Sequence, residues 1–280
     1  MHVPVHGKTL TQPLRIRFAQ GAGWFLALLL VLGCYAGAQS AGRPLRVAAA
    51  ADLQPVLPPI LRAYTRQTGI PATATYESSS ALTAQILNGA DFDLFLSADM
   101  QYPARVIAAG LGTTPSPVPY AHGVLVLFTR KDSRWPHPTV DLLRDPQLKR
   151  LAIADPARAP YGSAAMATLR SLGLASTLRS SLVTAANIAQ AAEFAETGNA
   201  DAGFVSQTAA MTPALRAAGS FVVVPQQLYP KITQGAVVLA HASESAHARQ
   251  LLDFLLTQAM QQQLVRSGLQ PVATSSREAR

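Results

Sequence analysis

The sequence predicts an α/β fold with two parallel-rich lobes, and three observations carry that prediction. Short apolar runs alternate with segments of helical period, the pattern of strand–helix–strand units on a parallel sheet. The helical segments stop at Gly69, Asn88-Gly89, Gly173, Gly198 and Gly268, residues that readily take the left-handed conformation that ends a helix. About 240 residues follow the N-terminal segment, enough for two such lobes.

The N-terminal segment has the form of an export signal. Lys8, Arg15 and Arg17 precede an apolar run over residues 24–32, and no acid occurs before Asp52. That run is too short to span about 30 Å of hydrocarbon. A basic start, a short apolar stretch and then small residues describe a secretory signal. Ala36-Gly37-Ala38 is the expected cleavage site, so residues 1–38 are read as the signal peptide and Gln39 as the first mature residue. The rival reading takes Val31-Leu32-Gly33-Cys34 as a lipid-attachment motif with Cys34 as the anchor. Either reading places the protein outside the cytoplasm, in the periplasm.

Residues 45–50 are read as a buried strand. Asp52 follows at the position of a helix N-cap. Pro55, Pro58 and Pro59 suit a first turn but not a helix interior, so helix is expected only from about Pro59 to Gln67. Strands are expected over 72–76, 93–97, 124–129, 151–154, 202–206, 220–224 and 236–240. Helices are expected over 80–87, 162–172, 188–196, 245–256 and 259–266. The proline-rich stretch 115–119 reads as a connection between lobes, and 133–138 as a loop that holds Trp135.

Charge and motifs exclude several function classes. The formal charge is +8, from 23 Lys and Arg against 15 acids. Three of those cations lie in the signal, which leaves +5 without a basic run and gives no footprint for nucleic acid. The single Cys rules out an intramolecular disulfide framework and a CxxC zinc site. G-x-S-x-G, S-x-x-K, H-E-x-x-H, P-loop and G-x-G-x-x-G motifs are all absent. His122, His137, His241 and His247 read as solvated surface residues, and Asp91 and Asp93 as brackets of a strand start. No nucleophile has a base beside it, so the chain is not read as an enzyme.

What remains are small, polar loops ahead of helices: Ala49-Ala50-Ala51-Asp52, Glu77-Ser78-Ser79-Ser80, Pro160-Tyr161-Gly162-Ser163 and Ala186-Asn187-Ile188. A helix start presents unpaired N–H groups and about half a positive charge, which suits an anion. In open α/β sheets such loops lie at the carboxyl ends of strands, where ligands bind.

The order of these segments resembles the periplasmic molybdate/tungstate-binding proteins of ABC importers. The matching stretches are Val47-Ala48-Ala49-Ala50-Ala51-Asp52-Leu53, Glu77-Ser78-Ser79-Ser80-Ala81-Leu82 with Gln85-Ile86, and Asn88-Gly89-Ala90. They continue through Asp93-Leu94-Phe95-Leu96-Ser97-Ala98-Asp99, Asp155-Pro156 with Ala159-Pro160-Tyr161-Gly162, and Ala200-Asp201-Ala202-Gly203-Phe204-Val205. The resemblance covers about residues 44–270.

It implies a type II periplasmic-binding-protein fold, with parallel-rich sheets flanked by helices and the ligand in the cleft between lobes. Lobe I would comprise residues 44–121 and 231–280, and lobe II the inserted 122–230. It also implies the ligand-binding positions Ala51, Asp52, Ser79, Tyr161 and Ile188. Ser79 would give hydroxyl and N–H, and Tyr161 and Ile188 their N–H groups. The ligand would be molybdate or tungstate, held through its oxygens, with no cation site and no resident cofactor. The partners would be that oxyanion and an ABC-transporter membrane permease, and the protein would be a monomer.

Two positions depart from the family pattern. Asp52 stands where members carry Ser or an amide side chain, and its carboxylate is expected to cap its helix, turned away from the anion. Ser206 stands where some members place a ligand-contacting Tyr. Three other readings are weighed against this one. The ligand could be another oxyanion or a small organic acid, with Arg158 as the nearest cation. The protein could be an exported enzyme on the same fold, or its charge could serve nucleic acid.

Overall fold

The computed structural model describes residues 43–272. The signal peptide over residues 1–38, its cleavage after Ala38 and the alternative at Cys34 lie outside the described residues. No described helix is long and apolar enough to cross a membrane.

Among the described residues, ten strands form two five-stranded sheets. The first contains β1 (Leu45–Ala50), β2 (Ala72–Glu77), β3 (Leu94–Ser97), β4 (Val118–Gly123) and β10 (Ile232–Val238), in the order β2-β1-β3-β10-β4. The second contains β5 (Leu125–Arg130), β6 (Leu151–Ala154), β7 (Leu182–Ala185), β8 (Ala202–Ser206) and β9 (Gly219–Val223), in the order β7-β6-β8-β5-β9. β1 runs parallel to both β2 and β3, and β6 to both β7 and β8. Antiparallel strands complete each sheet: β10 lies between β3 and β4, and β5 between β8 and β9. The chain passes from one sheet to the other at Val124 and returns between β9 and β10.

Helices flank both sheets: α1 (Leu57–Thr68), α2 (Ser79–Leu87), α3 (Gln101–Ala108), α4 (Pro160–Ser171), α5 (Ile188–Thr197), α6 (Gln207–Ala210), α7 (Pro213–Ala218), α8 (Ser245–Leu255) and α9 (Gln258–Arg266). The inner strands of the parallel ladders are almost continuously buried, as in LFLS of β3 and LAIA of β6, because helices cover both faces, whereas the edge strands β2 and β7 are partly exposed. Distinct apolar cores result. One gathers Leu45, Tyr64, Leu96 and Leu252, and another Leu127, Ile153, Leu169 and Phe204.

Several expectations need correction. α1 starts at Leu57 rather than near Pro59, because Pro58 and Pro59 occupy its first turn, where the missing N–H costs nothing. The strand expected over 236–240 runs Ile232–Val238 and is paired on both sides. The stretch 115–119 was expected to be connection, yet Val118 and Pro119 open β4. β4 tolerates the proline because it is the edge of its sheet and pairs with β10 across a register shift at Gln234/Gly235. β7, α3, α6 and α7 carry no expectation from sequence. His122 is not a solvated surface histidine: it lies in β4, and its Nδ1 is buried without a partner. Trp135 packs against the second lobe's core and donates from Nε1 to Asp145 (3.0 Å).

Candidate functional site

Four chain segments meet at the carboxyl ends of the parallel strands. β1 runs into a 3-10 turn, Ala51–Leu53. β2 leads to α2, whose N-cap is Ser78, its hydroxyl accepting from Ala81 N (3.2 Å). β6 leads to α4, which opens with Pro160 and has no side-chain cap. β7 leads to α5, capped by Asn187, which accepts from Gln190 N (3.0 Å).

Ala51, Asp52, Ser79, Tyr161 and Ile188 all line one small cavity, together with Ala50, Glu77, Ser78, Ala98, Ala159, Pro160 and Asn187. The structure thus brings together every residue expected at the site. The further lining residues lie within two positions of the expected ones, apart from Ala98, which only the folded register of β3 beside β1 places here.

Ser79 is the first residue of α2 and is buried. Its Oγ accepts from Ala98 N (3.0 Å), which orients the hydroxyl and leaves its proton to donate. Tyr161 and Ile188 stand in the first turns of α4 and α5, where N–H groups have no partner within the helix. Gly162 lets α4 begin this close to β6: a Cβ there would lie 2.2 Å from Ala154 O. The donors are hydroxyl and main-chain groups, and no Lys or Arg lines the cavity among the described residues.

Asp52 does not cap a helix. The 3-10 turn takes Ala50 as its N-cap with no side-chain bond, too short a turn to need one. The carboxylate is instead buried, and Oδ2 accepts from Tyr161 Oη (3.0 Å) and from Gln234 Nε2. Its carbonyl accepts from Thr208 Oγ1 (2.7 Å). Burial pushes its pKa up to about 6, against hydrogen bonds from Gln234, Tyr161 and its own N–H. Tyr161 fits beside it because position 123 is glycine: a Cβ there would come within 2.3 Å of Tyr161 Oη. Sequence reasoning missed Gln234 and Thr208, since a lone polar residue in a strand or short helix carries no signal of its partner.

Ser206 does not line the cavity. It caps α6, accepting from Ala209 N (3.3 Å), and its hydroxyl donates to Thr208 Oγ1 (2.8 Å), whose own proton goes to Asp52 O. Arg158 is exposed, pairs with Asp155 (3.5 Å) and does not line the cavity either. Its carbonyl accepts from Ser80 N (3.3 Å) and Tyr102 Oη (3.4 Å), which ties the two lobes at the cleft. Among the described residues no group of three or more His, Cys, Asp or Glu is placed to hold a metal ion.

The model of the bacterial extracellular solute-binding protein family matches residues 45–270, both lobes and the whole cavity. The chain belongs to that family. This solute-binding protein is 39% identical over 231 residues to the molybdate-binding protein ModA of Rhodobacter capsulatus, a match covering 82% of this chain and 89% of the relative. It is 34% identical over 241 residues to ModA of Azotobacter vinelandii, covering 86% and 91% of the two chains. Among solved structures, the periplasmic molybdate-binding protein of Azotobacter vinelandii superposes with a TM-score of 0.76 at 29% identity, over 80% of this chain and 98% of that one. The family binds solutes outside the cytoplasm, and both sheets, their order and the cleft between them are those of a two-lobed type II binding protein.

Proposed function

We propose that this protein captures molybdate or tungstate in the periplasm and delivers it to the membrane permease of an ABC importer. The observation that carries this is the cavity itself. A 3-10 turn and three helix starts converge on a space lined by small residues, with uncharged donors and no cation. Such a site suits a compact anion that can accept from many directions at once. The planar, charged clamp that favours a carboxylate ligand is absent from the cavity, and Arg158, the cation nearest in sequence, is elsewhere.

Ala51, Asp52, Ser79, Tyr161 and Ile188 are the proposed ligand-binding residues. The Ser79 hydroxyl and the N–H groups of the other segments would each take one oxygen. Molybdate and sulfate share charge and shape, so selectivity falls to the size of the cavity. The protein acts by binding and release, with no bond made or broken, and works as a monomer. A second reading is favoured by one observation: Asp52 lines the cavity, and an ionised carboxylate there would accept from a protonated oxyanion such as hydrogen phosphate.

Thermal unfolding of the purified protein tests the first reading. Molybdate or tungstate should raise Tm, since a ligand that binds only the folded state stabilises it, while sulfate and phosphate should do little. An equal rise with sulfate, or none with any oxyanion, contradicts it.

A further inference from the structure

Asp52 joins the lobes from both ends of the residue. Its carboxylate accepts from Tyr161 Oη of the second lobe and from Gln234 of β10, and its carbonyl from Thr208 of α6. Two oxygens in this cluster, Asp52 Oδ1 and Gln234 Oε1, are buried and have no donor. Asp52 lines the small cavity together with Ser79, Tyr161 and Ile188, so an oxyanion bound there would share one enclosure with the carboxylate.

The surroundings offer no cation to separate them. Tyr161 from α4, Tyr120 from β4, Gln234 from β10 and Thr208 from α6 face Asp52, and burial holds both tyrosines neutral. From β2 and the start of α5, Glu77 and Asn187 line the same cavity. His122, farther along β4, is moved by burial and by Lys231, not by Asp52. Two negative charges enclosed together without a cation are unfavourable, and both the like charge and the loss of water favour the protonated carboxyl. Burial alone already raises the Asp52 pKa before an anion arrives.

We propose that Asp52 takes up one proton from solvent when the lobes close over an oxyanion, so that capture is linked to pH. The inference rests on the oxyanion-binding reading above. Protonation turns Oδ1 from a buried acceptor without a donor into a donor. Tyr161 Oη keeps an acceptor on Oδ2 in either state, so the bridge between lobes survives the change.

Calorimetric titration with molybdate at pH 7 in two buffers of different ionisation enthalpy counts the protons. The expected result is close to one proton taken up per molybdate, with affinity falling by up to about tenfold per unit as pH rises from 6.5 to 8. Asp52→Asn should abolish both the uptake and the slope. Constant affinity without uptake in the wild type overturns the proposal. So does uptake that Asp52→Asn retains, which assigns the proton to Glu77 or another group. If Asp52→Asn does not fold, Glu77→Gln takes its place: uptake that this variant retains supports Asp52, and uptake that it loses overturns the assignment. Failure to bind any oxyanion at any pH is a different result and overturns the oxyanion reading itself.

Discussion

Ser79 shows how a residue can serve an anion without a charge. Its Oγ is held by Ala98 N, so the hydroxyl proton is aimed rather than free. A hydrogen bond to a charged partner contributes about 1.5–3 kcal/mol. Ser79→Ala should therefore weaken molybdate binding by about ten- to a hundredfold by calorimetry while leaving the fold intact. An unchanged affinity would remove Ser79 from the site. Asp52 carries a second prediction, for the unliganded protein. Its pKa is raised from 3.8 to about 6 on folding, so the unfolded chain releases this proton first as pH rises. The folded state loses stability between about pH 4 and 6, by about 3 kcal/mol for a shift of this size. Asp52→Asn removes that loss and gives Gln234 Oε1 a donor, so it should melt higher than the wild type at pH 7 but not at pH 4. A variant that melts lower at both values would show that the carboxylate is net stabilising.

At the scale of elements, the site depends on where helices start. Gly162 allows α4 to begin against Ala154 O, and overpacking of this kind costs about 1–3 kcal/mol. Gly162→Ala should lower Tm and weaken molybdate binding together, because the displaced first turn carries the Tyr161 N–H. Loss of stability with unchanged affinity would separate α4 from the site. The loops ahead of α2, α4 and α5 were legible in the sequence because serine, proline and asparagine respectively punctuate them. The buried runs of β3, β6 and β8 were legible because helices cover both faces. β4 and β7 were not: one carries Pro119 at a sheet edge, and the other is half-exposed. The role of Asp52 was misread for a related reason. An acid after a strand looks like a cap, and nothing in the local sequence shows that Tyr161 and Gln234, 109 and 182 residues away, will enclose it.

At the scale of the whole molecule, two lobes are joined where the chain crosses at Val124 and returns before β10. The hydrogen bonds that span the cleft are few: Asp52 with Tyr161 and Thr208, and Arg158 O with Ser80 and Tyr102, beside small apolar contacts of Ala50, Ala51 and Ala98. Such an interface opens readily, and a ligand gripped by both lobes shifts the population toward the closed form. Small-angle scattering should record a smaller radius of gyration with molybdate than without, and no change with sulfate. A radius unaffected by molybdate under saturating conditions would contradict closure. The central claim is that uncharged groups at helix starts select a large tetrahedral dianion. Calorimetric titration of the wild-type protein with molybdate, tungstate, sulfate and phosphate at one pH tests it most directly. The account predicts one site that takes molybdate and tungstate at least a hundredfold more tightly than sulfate or phosphate. Equal affinity for sulfate, preference for phosphate, or no heat with any of the four would contradict it.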